Sequence, residues 1–137
     1  MKSVISFLVL IIFCHSIAQA QSGIPCDTSD VFNVVDTPPQ FPGGDEALMD
    51  YLMSNFQYPS TACGYYSSFY ISFVIDTTGQ VVCTEILRPE PGHCILQNGF
   101  GERLLALFNQ MPLWEPGVNN GRKAKVRMNV PLRIDFR

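Results

Sequence analysis

Val126-Arg127-Met128-Asn129-Val130-Pro131-Leu132-Arg133-Ile134-Asp135-Phe136 alternates apolar and polar residues over its whole length. A period of two is the signature of a β-strand with one buried face, here Val126, Met128, Val130, Leu132, Ile134 and Phe136. Pro131 sharpens the reading. It has no N–H to donate, so it predicts a strand at a sheet edge with position 131 facing outward. Backbone groups two residues apart point the same way, so Lys125, Arg127, Asn129, Arg133 and Asp135 present theirs to that edge. An open edge of this kind accepts a strand from a partner. A proline also protects an edge from accidental pairing, and both readings stand at this level.

Working back from this strand, Asn119-Asn120-Gly121 is a turn, preceded by Trp114-Glu115-Pro116-Gly117. Leu104, Leu107, Phe108 and Met111 recur at helical spacing, with Asn98 as a candidate cap and Pro112 as the stop. Trp114, the single tryptophan, reads as a core residue joining this helix to the last strand. Phe69, Ile71, Phe73 and Ile75 alternate with Tyr70, Ser72, Val74 and Asp76, which predicts a strand whose outer face carries Tyr70. Thr77-Thr78-Gly79 turns it, and Val81 to Leu87 returns. Further upstream, Phe41-Pro42-Gly43-Gly44 precedes Asp45-Glu46, two acids at a helix start where the dipole favours them. Ala47, Leu48, Tyr51, Leu52 and Phe56 form the stripe of that helix, and Pro59 ends it. Residues 21–40 are polar and broken by Pro25, Pro38 and Pro39, a leader at best partly ordered, with a short strand expected at Val31–Val35. The order is α-β-β-α-β: an α+β fold of two layers, a three-stranded antiparallel sheet with helices on one face.

The hairpin also constrains the cysteines. If Asp76 faces Gln80, paired residue numbers sum to 156, or 157 beyond a single bulge. Cys63 then lies opposite position 93 or 94, which favours a Cys63–Cys94 bridge. Cys26–Cys83 rests on elimination alone.

Composition bounds the function. The chain has 137 residues, 47% hydrophobic and 15% charged, too apolar for a disordered protein and suited to one domain. Twelve acids against nine bases give a net charge of −3 and argue against nucleic acid as a partner. Residues 1–20 read as a cleaved signal peptide: Lys2 supplies the positive start, Val4–Phe13 the apolar run and Ala18-Gln19-Ala20 the cleavage pattern. A membrane anchor needs roughly 20 apolar residues, more than this run supplies. The expected mature chain, 21–137, is then a polar leader (21–38) followed by one domain (39–137). Its cysteines are Cys26, Cys63, Cys83 and Cys94, an even set in an exported protein. From 122 onward six bases face one acid, whereas residues 21–121 hold two bases against eleven acids. A basic segment on an acidic body attracts an acidic partner, or simply forms a solvated strand face.

Five motifs occur in a telling order: Pro39-Gln40-Phe41-Pro42-Gly43-Gly44, Gln57-Tyr58-Pro59, Phe73-Val74-Ile75-Asp76 with Gly79, Met111-Pro112-Leu113-Trp114-Glu115-Pro116-Gly117, and Val126-Arg127-Met128-Asn129-Val130-Pro131-Leu132. With them, residues 39–137 resemble the C-terminal domain of the TonB energy-transducer family. The resemblance implies a periplasmic domain that grips outer-membrane TonB-dependent receptors, a receptor segment adding as a strand beside the last β-strand. It places Gln57, Tyr58 and Pro59 next to that segment, and Lys125, Arg127, Asn129, Pro131 and Arg133 along the docking edge. Another envelope protein, or a second copy of the chain, suits the same edge. Against a full transducer, the sequence is expected to have no convincing transmembrane anchor and no long linker. About eighteen residues extend too little to cross a periplasm at ~3.5 Å each. Ser67 also stands where the family usually has glycine. The alternative is a standalone structural or regulatory interaction module in transport across the outer membrane.

An enzyme reading fares poorly on the sequence. Cys83, His93 and Cys94 form no C-x-x-C or paired-histidine spacing, and Gly43-Gly44 and Gly99-x-Gly101 lack the strand-then-helix context of a phosphate loop. No cofactor or metal is expected.

Overall fold

Asp76 closes the first hairpin with its own side chain. Its Oδ1 accepts hydrogen bonds from the Thr78 N–H (2.8 Å), the Thr78 hydroxyl (2.6 Å) and the Gln80 N–H (2.9 Å). Burial alone would raise this carboxyl, but those hydrogen bonds and one from Gly79 outweigh it, and the group sits below its ordinary range. The Asp76 N–H donates to the Gln80 carbonyl at 3.0 Å, the facing expected from the sequence.

The computed structural model describes residues 26–56, 67–87 and 99–134. In chain order the elements are β1 (Val31–Phe32), α1 (Gly44–Asn55), β2 (Ser67–Ile75), β3 (Val81–Leu87), α2 (Phe100–Asn109), β4 (Gly117–Asn119) and β5 (Arg122–Ile134). The fold is mixed α+β. Its centre is the expected antiparallel trio, β5–β2–β3, with α1 and α2 contributing to one shared core. Ile75 pairs with Val81 and Val74 with Val82, then Ser72 pairs with Glu85 and Ile71 with Ile86. The sum of paired numbers steps from 156 to 157 across one bulge, where Cys83 takes a positive φ of 56°.

The sheet is larger than the sequence pattern suggests. Two further strands make it five-stranded and mixed: β1 runs parallel to β5, and β4 folds back on β5 through the tight Asn120-Gly121 turn. Both turn residues have positive φ, 51° and 73°, as a two-residue hairpin loop requires. Helix α2 begins after Gly99, in the left-handed region, and Asn98 lies outside the described residues.

One face of the sheet builds the core. Phe69, Ile71, Phe73 and Ile75 from β2 meet Leu52 of α1 and Phe100, Leu104 and Phe108 of α2. Trp114 joins them as expected, with its ring edge-on to Phe41 at 5.4 Å and tilted against Phe73 at 5.7 Å. The Trp114 N–H donates to the Gly79 carbonyl at 2.8 Å, tying the approach to β4 onto the β2–β3 turn.

The opposite face is not simply solvated. Cys26 is disulfide-bonded to Cys83 of β3, and its neighbour Asp27 reaches Lys125 of β5 at 2.8 Å. Residues 26–27 therefore bridge from β3 to β5 over β2, and Arg127–Glu85 spans the same three strands at 3.4 Å. Beneath them Ser72 and Val74 are fully buried, although the alternation assigns them to the outer face. Ser72 Oγ has no hydrogen-bond partner among the described residues. Ser72→Ala is accordingly expected to stabilise the fold by about 1 kcal/mol, read as a higher urea midpoint at unchanged slope.

Candidate functional site

The leader and the last strand meet at the outer edge of β5. Pairing with β2 is unbroken from Ile75–Val126 to Ser67–Ile134, and it sets Pro131 opposite Tyr70. Proline cannot supply the N–H of a hydrogen-bonded pair, so Tyr70–Pro131 is a non-bonded pair. Parity then turns the backbone groups of Lys125, Arg127, Asn129 and Arg133 away from β2. Tyr70 on the outer face is 42% exposed.

The edge itself differs from the expectation. The strand is not a plain sheet edge, because β1 covers its head: Val31 lies opposite Lys125 and Phe32 opposite Val126. β4 pairs with Arg122, Lys123 and Ala124. From Arg127 to Ile134, β2 is the only strand paired with β5 among the described residues. The leader is likewise no loose tail from Cys26 onward. The short strand expected at Val31–Val35 forms over Val31–Phe32, and what the sequence did not give is its partner, since two residues of parallel pairing carry no register signal.

The candidate residues distribute along this edge. Lys125 is half-buried and engaged with Asp27. Its ammonium pKa is raised, chiefly by that hydrogen bond. The bonds from Lys125 and then Ser29 hold the Asp27 carboxyl far below its ordinary value of 3.8. A depressed carboxyl favours the fastened state above that ordinary value, and the contribution is lost as pH falls through the lowered one. Arg127 is half-buried, opposite Val74 and paired with Glu85. Asn129, Pro131 and Arg133 are exposed, opposite Ser72, Tyr70 and Ser68. Gln57, Tyr58 and Pro59 lie outside the described residues, as do Cys63 and Cys94, so the favoured bridge is not seen. Among the described residues the bridge is Cys26–Cys83, the pairing that elimination left.

One feature of the site was missed by sequence reasoning. Met49, Leu52, Met53 and Phe56 of α1 and its end form a groove of about 220 Å³ with Pro131, Leu132 and Arg133. Met49 and Met53 are 59% and 66% exposed. The apolar pattern had placed Leu52 and Phe56 on the core stripe, and the two methionines off that stripe were the available signal.

The basic residues Arg122, Lys123 and Lys125 also surround a broad shallow depression with Asp30, Phe32 and Asn120. Among the described residues no cluster of three or more His, Cys, Asp or Glu is placed to hold a metal, and no helix is long and apolar enough to cross a membrane.

Compared with known proteins, the chain matches no protein-family model and no curated sequence.

Proposed function

We propose that this protein is an exported docking domain of the TonB C-terminal type, which binds an extended segment of an outer-membrane receptor or another envelope protein by strand addition to β5. The observation that carries the reading is the β2–β5 register, which sets Pro131, with no N–H to donate, opposite Tyr70. From Arg127 onward, one side of the strand pairs with β2 and the other has outward-facing backbone groups beside an apolar groove. Main-chain pairing would supply affinity and alternate side chains specificity. The order of the central elements and the five sequence motifs support the TonB-type topology. A disulfide agrees with a periplasmic location after removal of residues 1–20.

A standalone interaction module without energy transduction is the second reading, favoured by the leader being fastened to the domain by Cys26–Cys83 instead of running free as a linker. Self-pairing through the edge is the less favourable use of it. An antiparallel dimer centred at Val130 sets Arg127 of one copy beside Arg133 of the other, and like charges placed opposite each other destabilise a ladder.

The test places a photo-crosslinker at Asn129 and, as a control, at the exposed Glu102 of α2, in cells carrying the protein. Products from 129 that map to receptor N-terminal segments support docking. If both positions yield the same products, or 129 yields none, the edge is not the binding surface. Arg127→Glu is expected to weaken capture most at low salt, because screening removes long-range attraction.

A further inference from the structure

Residues 26–36 lie on the domain without entering its core. From Thr37 onward the chain is anchored: Thr37 pairs with Val118, Pro39 is buried beside Gly117, and Phe41 belongs to the core cluster. Upstream of that anchor no residue is fully buried, and of the apolar ones Val31 and Val35 are only half-buried. Asn33 is exposed, Val34 is 84% exposed and Phe32 40%. The segment is instead held by the two residues of β1, the Asp27–Lys125 pair, a hydrogen bond from the Asn120 N–H to Asp36, and the Cys26–Cys83 bridge.

Its position is informative. Lys125 is an outward-facing backbone position in the register set by Pro131, and β1 occupies it in extended form while Asp27 neutralises its ammonium. An acidic residue followed by an extended apolar stretch is what a basic strand edge would recruit from outside. The same surface is thus already filled by the chain's own leader.

We propose that residues 26–32 are an internal occupant of the β5 edge, latched by the Cys26–Cys83 disulfide, and that reduction of this bond by a dithiol releases them and lengthens the open edge from Arg127 back to Lys125. The functional consequence rests on β5 being a docking edge; the release does not. Cys26 is exposed, so its sulfur is open to attack. A reductant thiolate bonds to Cys26 Sγ, the S–S bond breaks, and Cys83 leaves as a thiolate that takes up a proton. The second reductant thiol then displaces Cys26 as a thiol. The dithiol loses two electrons and departs as its own disulfide.

Amide exchange on the whole purified chain tests the latch. On adding a dithiol reductant, the Lys125 amide is expected to exchange roughly tenfold faster or more, while Met128, which faces β2, keeps its protection. The double variant C26S/C83S should behave the same way without reductant. An unchanged Lys125 overturns the proposal, since the segment then stays in place without the bond. Equal acceleration of Lys125 and Met128 also overturns it, because the disulfide would then be a staple for the whole domain.

A labelled peptide copying residues 27–35 separates this from the docking reading. Binding to the reduced chain and not to the oxidised one supports the occupant role. Release of Lys125 with no peptide binding upholds the latch but removes the support for strand addition at β5.

Discussion

Gly79→Ala is expected to cost about 3 kcal/mol or more, a large part of the ~5–15 kcal/mol that holds a domain together. Gly79 has a φ of 90°, which an L side chain adopts at a penalty. The sterics are worse than the torsion. A Cβ built there would lie 2.0 Å from the Trp114 carbonyl oxygen and 3.0 Å from its carbon, both backbone atoms. The two backbones cannot simply part, because the Trp114 N–H donates to the Gly79 carbonyl at 2.8 Å and the indole is packed against Phe41 and Phe73. Relief of the clash would therefore disturb the centre of the core. Gly121 is the internal control: its φ is 73°, but nothing lies within 4 Å of an added Cβ. Gly121→Ala should lose only about 1–2 kcal/mol, the cost of the left-handed conformation. Urea unfolding of both variants decides the matter. Equal losses would mean that the close approach of Trp114 is not what requires glycine at 79.

The second large effect is a contrast between neighbours. Met128→Pro should cost about 3 kcal/mol or more, and Asn129→Pro well under half of that. In the β2–β5 register Met128 lies opposite Phe73 in a hydrogen-bonded pair, and its side chain packs on the core. Proline there removes a ladder bond in the middle of the sheet. Asn129 is opposite Ser72 with its N–H turned outward and its side chain exposed, so proline removes nothing that β2 uses. Asn129→Pro should nonetheless abolish capture through the edge, because an added strand needs that N–H. Thermal unfolding read beside crosslinking separates the two effects. If Asn129→Pro unfolds the domain while Met128→Pro does not, the parity inferred from Pro131 is inverted.

Much of this architecture was legible because it depends on local periodicity. The alternation in 126–136 and 69–75, the helical stripes of α1 and α2, and the Asp76 turn each occupy a short window, and among the described residues each element forms where its pattern places it. Even the hairpin bulge was within reach, since register follows from the turn once Asp76 faces Gln80. The parity of β5 came from a single chemical fact, the missing N–H of Pro131.

The rest depends on where distant parts of the chain meet. Cys26 and Cys83 are 57 residues apart, and no local signal chooses between pairings of four cysteines. Closing a loop of that length contributes about 4 kcal/mol in the chain-entropy view. A short strand near Val31 was expected, but its parallel pairing with β5 was not, because two residues carry no register signal and the leader crosses the sheet only with the Cys26–Cys83 bridge and the Asp27–Lys125 pair in place. The groove of Met49 and Met53 arises only when α1 is laid beside the end of β5. The sequence alone thus determined the central α-β-β-α-β elements and which backbone groups of the last strand point outward, because side-chain alternation and proline chemistry act within a few residues. Tertiary structure decided how much of that edge is open, since only folding brings residues 26–32 onto Lys125 and Val126.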